Sequence, residues 1–271
     1  MKKYATVLAI AGSDSGGGAG IQADIKAVSA TGAYAATAIT AVTVQNTLGV
    51  SAIHTVPVDI VRGQIEAVLA DIGADAVKIG MLGSAELVRV VAESVRGREN
   101  IVLDPVMVAT SGDRLMEEAA VEVLASELAP FARVVTPNIP EAEVLSGMKI
   151  TSADELPRVA RAVSERFSIR GRKVSVLMKA GHLEDEYLVD WLYNAENDAL
   201  VQLRSEKVDS RNTHGTGCTL SSALASFLAQ GFTLDDAAVK AREYISGAIR
   251  AGAEYETGHG HGPVKHFWKF W

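Results

Sequence analysis

The strongest constraint on this chain is an alternation. Short continuous apolar runs end in glycine or a polar residue and are followed by apolar residues at helical spacing. Residues 5–11 (ATVLAIA) form the first run. A run apolar at every position marks a strand buried on both faces. After Gly12-Ser13-Asp14-Ser15-Gly16-Gly17-Gly18-Ala19-Gly20 come Ile21, Ile25 and Val28, spaced for a helix. The same unit recurs. Strands are predicted over residues 35–44, 76–79, 101–103, 133–135 and 174–178. Helices are carried by Val61, Ile65, Val68, Leu69 and Ile72, by Leu87, Val88, Val91 and Val95, and by residues 117–128 and 156–167, with a further one opening at Pro140. Such alternation predicts an α/β fold with a mostly parallel sheet and helices on both faces. Residues 187–193 and 200–208 read as a hairpin about the turn 194–198. A last helix is expected over 234–255, before an aromatic tail. No internal repeat, low-complexity segment or linker divides the chain, so one domain over residues 1–271 is expected.

Composition narrows the class. A formal net charge of −7 argues against a nucleic-acid partner, which selects a basic face. One cysteine excludes an internal disulfide and fits a reducing, cytoplasmic setting. No apolar run approaches the ~18 residues of a membrane span. The short apolar stretch after Met1-Lys2-Lys3 runs into a glycine loop rather than a cleavage site, so a first core strand is the better reading.

The stretch Asn212-Thr213-His214-Gly215-Thr216-Gly217-Cys218 leads into Leu220, Ala223, Leu224, Phe227 and Leu228, so a helix is expected to begin close to Cys218. Free amides and the helix macrodipole make such a loop a ready anion site. There Cys218 is expected to have a lowered thiol pKa. A glycine-rich turn with a buried structural cysteine remains open. The loop 12–20, with five glycines in nine residues, suits a backbone that approaches a ligand, or a flexible turn. Gln45, just past its strand, can offer donor and acceptor to a heterocycle. Asp104 is a metal, phosphate-side or capping residue, and Pro137 and Pro140 stiffen the loop holding Asn138 and Glu141. Every candidate lies just after a strand, hence on one edge of the sheet.

G-x-x-x-x-G-K-[ST], G-x-G-x-x-G after the first strand, H-E-x-x-H and G-x-S-x-G are all absent. His259, His261 and His266 lack a cysteine partner and read as structural. Two glycine loops, Asp104, Glu141 and Lys179 on one edge suit phosphoryl transfer, a reaction of positioning and electrostatics.

Seven blocks in register sharpen this: residues 11–24, 44–47, 78–82, 103–107, 136–142, 178–182 and 212–223. Their order, from A-G-S-D through K-I-G-M-L, L-D-P-V-M and T-P-N-x-P-E-A to N-T-H-G-T-G-C-T-L-S-S-A, closely resembles the hydroxymethylpyrimidine/phosphomethylpyrimidine kinases of thiamine biosynthesis, within the ribokinase superfamily. Ser15 and Gly16 stand where that family often has proline and serine. The resemblance implies a ribokinase-like three-layer αβα sandwich, ATP and Mg²⁺ as cofactors, a small pyrimidine substrate and a homodimer. It implies an anion hole of Gly215, Thr216, Gly217 and Cys218, with Cys218 as general base or acting through its amide. It implies a pyrimidine pocket of Gly12, Asp24, Thr43 through its backbone, Gln45 and Met81. Asp104, Asn138 and Glu141 would support Mg²⁺ and phosphates, with Asp104 and Glu141 meeting the metal partly through water; Lys179, Thr213 and His214 would line the ATP path. The function implied is ATP-dependent phosphorylation of 4-amino-5-hydroxymethyl-2-methylpyrimidine and of its monophosphate. A pyridoxal/pyridoxine kinase of the cysteine-containing branch, and a pyrimidine-binding domain without turnover, are the alternatives.

Overall fold

The computed structural model describes residues 2–108, 112, 115–169, 171–180 and 187–271. Among these, nine strands join one sheet: β1 Thr6–Asp14, β2 Tyr34–Asn46, β3 Gly49–Thr55, β4 Ala76–Ile79, β5 Ile101–Leu103, β6 Val134–Val135, β7 Ser175–Met178, β8 Tyr187–Asn194 and β9 Ala199–Glu206. Their order is β3-β2-β1-β4-β5-β6-β7-β8-β9. The run from β2 through β7 pairs in parallel, and the edge pairings β2–β3, β7–β8 and β8–β9 are antiparallel. The helices are α1 Gly20–Ala30, α2 Val58–Asp71, α3 Ala85–Val95, α4 Glu118–Val123, α5 Ile139–Ser146, α6 Leu156–Phe167, α7 Thr216–Ala229 and α8 Leu234–Gly252. Helix α4 runs on as a wider π-helical turn through Leu124–Leu128.

Two apolar layers flank the sheet, and the side-chain period of two divides each strand between them. Ile101 and Leu103 enter one layer with Leu8, Ile10, Val77, Ile79 and the inner faces of α2, α3 and α6. Val102 enters the other with Val7, Val134, Leu177 and the inner faces of α1, α7 and α8. Both faces of the central strands are covered, which is why those strands read as unbroken apolar runs. This is the expected αβα sandwich.

Three elements differ from the sequence reading. Strand β1 continues three residues past Ala11, with a register shift between Ala11 and Ser13. Strand β2 reaches Asn46, so Gln45 lies within the strand, paired with Val50 of β3, rather than beyond it. The periodicity missed β3 because its side chains are mostly exposed and show no apolar stripe. It draws out the end of β2 as a two-stranded ribbon on which Val42 and Val44 are exposed, so β2 is not buried along its whole length. The hairpin of β8 and β9 forms as expected. Among the described residues, no helix is long and apolar enough to cross a membrane.

Candidate active site

The site begins where the two glycine loops touch. Gly215 precedes α7 in the left-handed conformation (φ 79°), and a Cβ there would collide with the Gly18 carbonyl. Gly20, at φ 54°, opens α1 against the Gly12 carbonyl. Glycine is required at both positions, by conformation and by close backbone approach. Helix α7 starts at Thr216, two residues ahead of Cys218, and has no side-chain cap. In its first turn Thr216 N–H is taken by the Thr213 carbonyl, while the Gly217 and Cys218 amides have no intrahelical partner.

In the first glycine loop, for which the sequence leaves both a close approach to a ligand and a flexible turn open, the amides are occupied by the loop's own aspartate. Asp14 Oδ1 accepts from Gly16 N–H at 2.7 Å, and Oδ2 accepts from Gly18 and Ala19 at 3.0 and 2.8 Å. His214 Nε2 lies 2.8 Å from the same Oδ2. Burial would raise the Asp14 pKa, but the His214 hydrogen bond and the loop amides outweigh it and hold the carboxyl below its usual range. The His214 ring is buried against the first loop. Thr213 stays beside α7, its carbonyl accepting from Thr216 N–H.

On the other side of Gly217 stands a buried ionic cluster. A side chain at Gly217 would begin 3.2 Å from Lys179 Nζ and 3.5 Å from Asp104 Oδ2. Lys179 Nζ donates to Asp104 Oδ1 at 2.8 Å and lies 4.0 Å from Glu141 Oε2. Thr136 donates to Asp104 Oδ1 and Ser221 to Oδ2. Burial opposes ionisation of Asp104, yet Lys179 and Lys78 keep its carboxyl below the usual range. Glu141 forms a capping box with Asn138: Asn138 N–H donates to Glu141 Oε2 at 2.8 Å and Glu141 N–H to Asn138 Oδ1 at 2.9 Å. Burial lifts the Glu141 carboxyl to about 7, with Lys179 opposing and Asp104 adding to the rise. Among the described residues, no three His, Cys, Asp or Glu side chains gather as a metal site. The Lys179 ammonium is hydrogen-bonded to Asp104 and also lies near Glu141, so these carboxylates fit a Mg²⁺ carried by a polyphosphate and met through water, rather than a dication held directly.

Gly12, Thr43, Gln45 and Met81 do come together. A Cβ on Gly12 would sit 3.0 Å from Met81 Sδ. Thr43 Oγ1 donates to the Ser13 carbonyl at 2.8 Å and lies 3.1 Å from Gln45 Oε1. Gln45 Nε2 is 3.4 Å from His214 Nε2. Asp24 does not join them as a pocket wall. It is wholly enclosed, with Oδ1 accepting from Lys78 Nζ at 2.8 Å and from Ser222 Oγ at 2.7 Å. Cys218 also departs from expectation. Burial pushes its thiol up to about 11; Lys78 opposes the rise, Asp24 and Asp104 add to it, and a Gly20 N–H donated to the sulfur offsets part. Gly181 and His182 lie outside the described residues. Sequence reasoning passed over Lys78, although a lysine inside the run Ala-Val-Lys-Ile was itself the signal. It also passed over Ser222, which helical spacing alone marks only as core.

The family model for phosphomethylpyrimidine kinase matches residues 14–265. A hydroxymethylpyrimidine/phosphomethylpyrimidine kinase of Rhizobium meliloti is 46% identical over 98% of both chains. Among solved structures, an ADP complex of Bacillus subtilis pyridoxal kinase superposes with a TM-score of 0.87 at 33% identity, covering 97% of this chain and 98% of that one. The phosphomethylpyrimidine kinase of Clostridium difficile 630 gives 0.76 at 41% identity, covering 90% and 99%. With a family model spanning the α7 loop, the Asp104–Lys179 cluster and the Thr43–Gln45 edge alike, the chain belongs to the phosphomethylpyrimidine kinase family.

Proposed function

We propose that this chain transfers the γ-phosphoryl group of ATP to the hydroxymethyl group of 4-amino-5-hydroxymethyl-2-methylpyrimidine, and then phosphorylates the monophosphate to the diphosphate. The observation that carries this is the placement of α7. The N-terminus of α7, without a side-chain cap, adjoins the Lys179–Asp104 cluster at Gly217, and the loop leading into it reaches Gln45 through His214. A nucleotide at the cluster and a flat ring beside Gln45 would meet at that helix tip.

The roles follow from the chemistry of each group. Amides of Gly215, Thr216, Gly217 and Cys218 stabilise charge on the moving phosphoryl group, the kind of preorganised donor set that supplies a large share of such catalysis. Lys179 neutralises phosphate charge, and Asn138 and Thr213 border the nucleotide. Gln45 offers both donor and acceptor to the ring, and Met81 packs beside it. Cys218, at the boundary, takes the hydroxyl proton in its thiolate form. Mg²⁺, when bound with ATP, shields the polyphosphate; Asp104 and Glu141 would hold it through water. We read residues 1–271 as one catalytic unit, working in the cytoplasm as a homodimer; the single cysteine, free in this fold, supports the cytoplasmic part of that reading.

Incubation with ATP and the pyrimidine, with and without Mg²⁺, followed by mass spectrometry of the product, tests this. Two successive additions of phosphate, both dependent on Mg²⁺, are expected; none would remove the assignment. Likeness to a pyridoxal kinase structure favours one second reading, kinase activity on pyridoxal, and the same assay with pyridoxal decides how the two substrates rank.

A further inference from the structure

Beneath Cys218 lies a charge pair for which the transfer described above has no use. Lys78 on β4 and Asp24 on α1 are both completely enclosed and joined at 2.8 Å. Burial of an ion pair is costly and contributes little net stability by itself. Its place in the fold is specific. On α1, Gly20 and Asp24 are one turn apart; on α7, Cys218 and Ser222 are one turn apart, and residues so spaced share a helix face. Ser222 Oγ donates to Asp24 Oδ1 at 2.7 Å, which fixes one turn of α7 against one turn of α1 and leaves Cys218 and Gly20 on the turns above. Lys78 closes the lower pair of turns from the sheet. A side chain at Gly80 would begin 2.9 Å from its Nζ. Asp24 Oδ2 has no hydrogen-bond partner among the described residues, so the pair is not a saturated structural network.

We propose that Lys78 and Asp24 are positioning residues of opposite sign that set the acidity of the Cys218 thiol from the layer below it. The ammonium favours the thiolate and the carboxylate opposes it, and the fully enclosed setting keeps solvent from screening either. The other charged groups bearing on the thiol are Asp104, after β5, and Lys179, after β7, and neither changes in the variants below. The proposal rests on the kinase reading only for what the thiolate is used for, because thiol acidity is measurable without substrate.

Alkylation of the lone cysteine by iodoacetamide, followed from pH 7 to pH 10.5 by intact-protein mass spectrometry, reads the thiolate fraction. Asp24→Asn should alkylate about tenfold faster than the parent at pH 8.5, and Lys78→Met about tenfold slower, since one unit of thiol pKa changes the thiolate fraction tenfold. Opposite signs distinguish an electrostatic role from loosened packing, which would speed both. Changes in the same direction, or rates within twofold of the parent in both, would overturn the proposal. If Lys78→Met fails to fold, Asp24→Asn decides alone. It keeps the shape of the side chain, and at an unchanged thermal midpoint it must react faster; an equal or slower rate would overturn the idea. Phosphoryl transfer assayed on the parent is a separate readout. Opposite alkylation shifts with no kinase turnover would sink the kinase reading and leave the charge pair standing.

Discussion

At Cys218 two influences oppose each other. A helix N-terminus favours a thiolate, but burial wins and carries the thiol to about 11. At pH 7 about one molecule in ten thousand then holds the base form, because each pH unit below the pKa costs a factor of ten. If that thiolate takes the hydroxyl proton, the rate climbs about tenfold per pH unit between pH 7 and 9. Cys218→Ser should flatten the profile and lower kcat by about 10²–10⁴, the usual range for a general base. A flat parental profile together with an unchanged rate in Cys218→Ser would leave only the amide at this position. Asp14 shows why single residues were partly illegible. Its carboxylate fills the amides of its own loop and orients His214, an arrangement that depends on a residue 200 positions away in the sequence. Composition revealed a glycine-rich loop. What anion fills such a loop is a matter of tertiary contact.

Among the elements, legibility followed burial. Strands β4, β5 and β7 and helices α3 and α6 lie where apolar spacing placed them, because each is pressed against the sheet or covered by helices, and side-chain burial leaves its period in the sequence. Strand β3 escaped notice for the converse reason: it pairs through its backbone and buries little. The same ribbon leaves Val42, Val44, Leu48 and Ile53 exposed, more apolar surface than a solvated edge ordinarily shows. That exposure supports the homodimer proposed above. Sedimentation velocity should find a species of twice the chain mass, and Val44→Lys combined with Ile53→Lys should convert it to a folded monomer. A monomeric parent would contradict the dimer.

For the whole molecule, the sheet is the device that lets distant residues meet. Its parallel strands point the segments after β1, β4, β5, β6 and β7 to one edge, which is where an open α/β sheet binds its ligands. That edge was legible from the placement of candidates after strands. Its interior electrostatics were not: the pairing of Lys78 with Asp24, and the Lys179 ammonium joined to Asp104 and lying near Glu141, arise from elements far apart in sequence. The C-terminal segment closes the assembly. Gly262 accepts from His214 N–H, His261 N–H reaches the Thr47 carbonyl, and His266 Nε2 lies 3.0 Å from Thr219 Oγ1, so the tail braces the loop before α7, the first turn of α7 and the turn after β2.

The central claim is that the start of α7 receives the phosphoryl group as it moves between nucleotide and ring. A crystal structure of the chain with a non-hydrolysable ATP analogue and the pyrimidine tests it most directly. The γ-phosphate should accept hydrogen bonds from amides among Gly215, Thr216, Gly217 and Cys218, with the ring hydroxyl facing it from the Gln45 side. A triphosphate bound away from that helix tip, with both substrates in place, would contradict it.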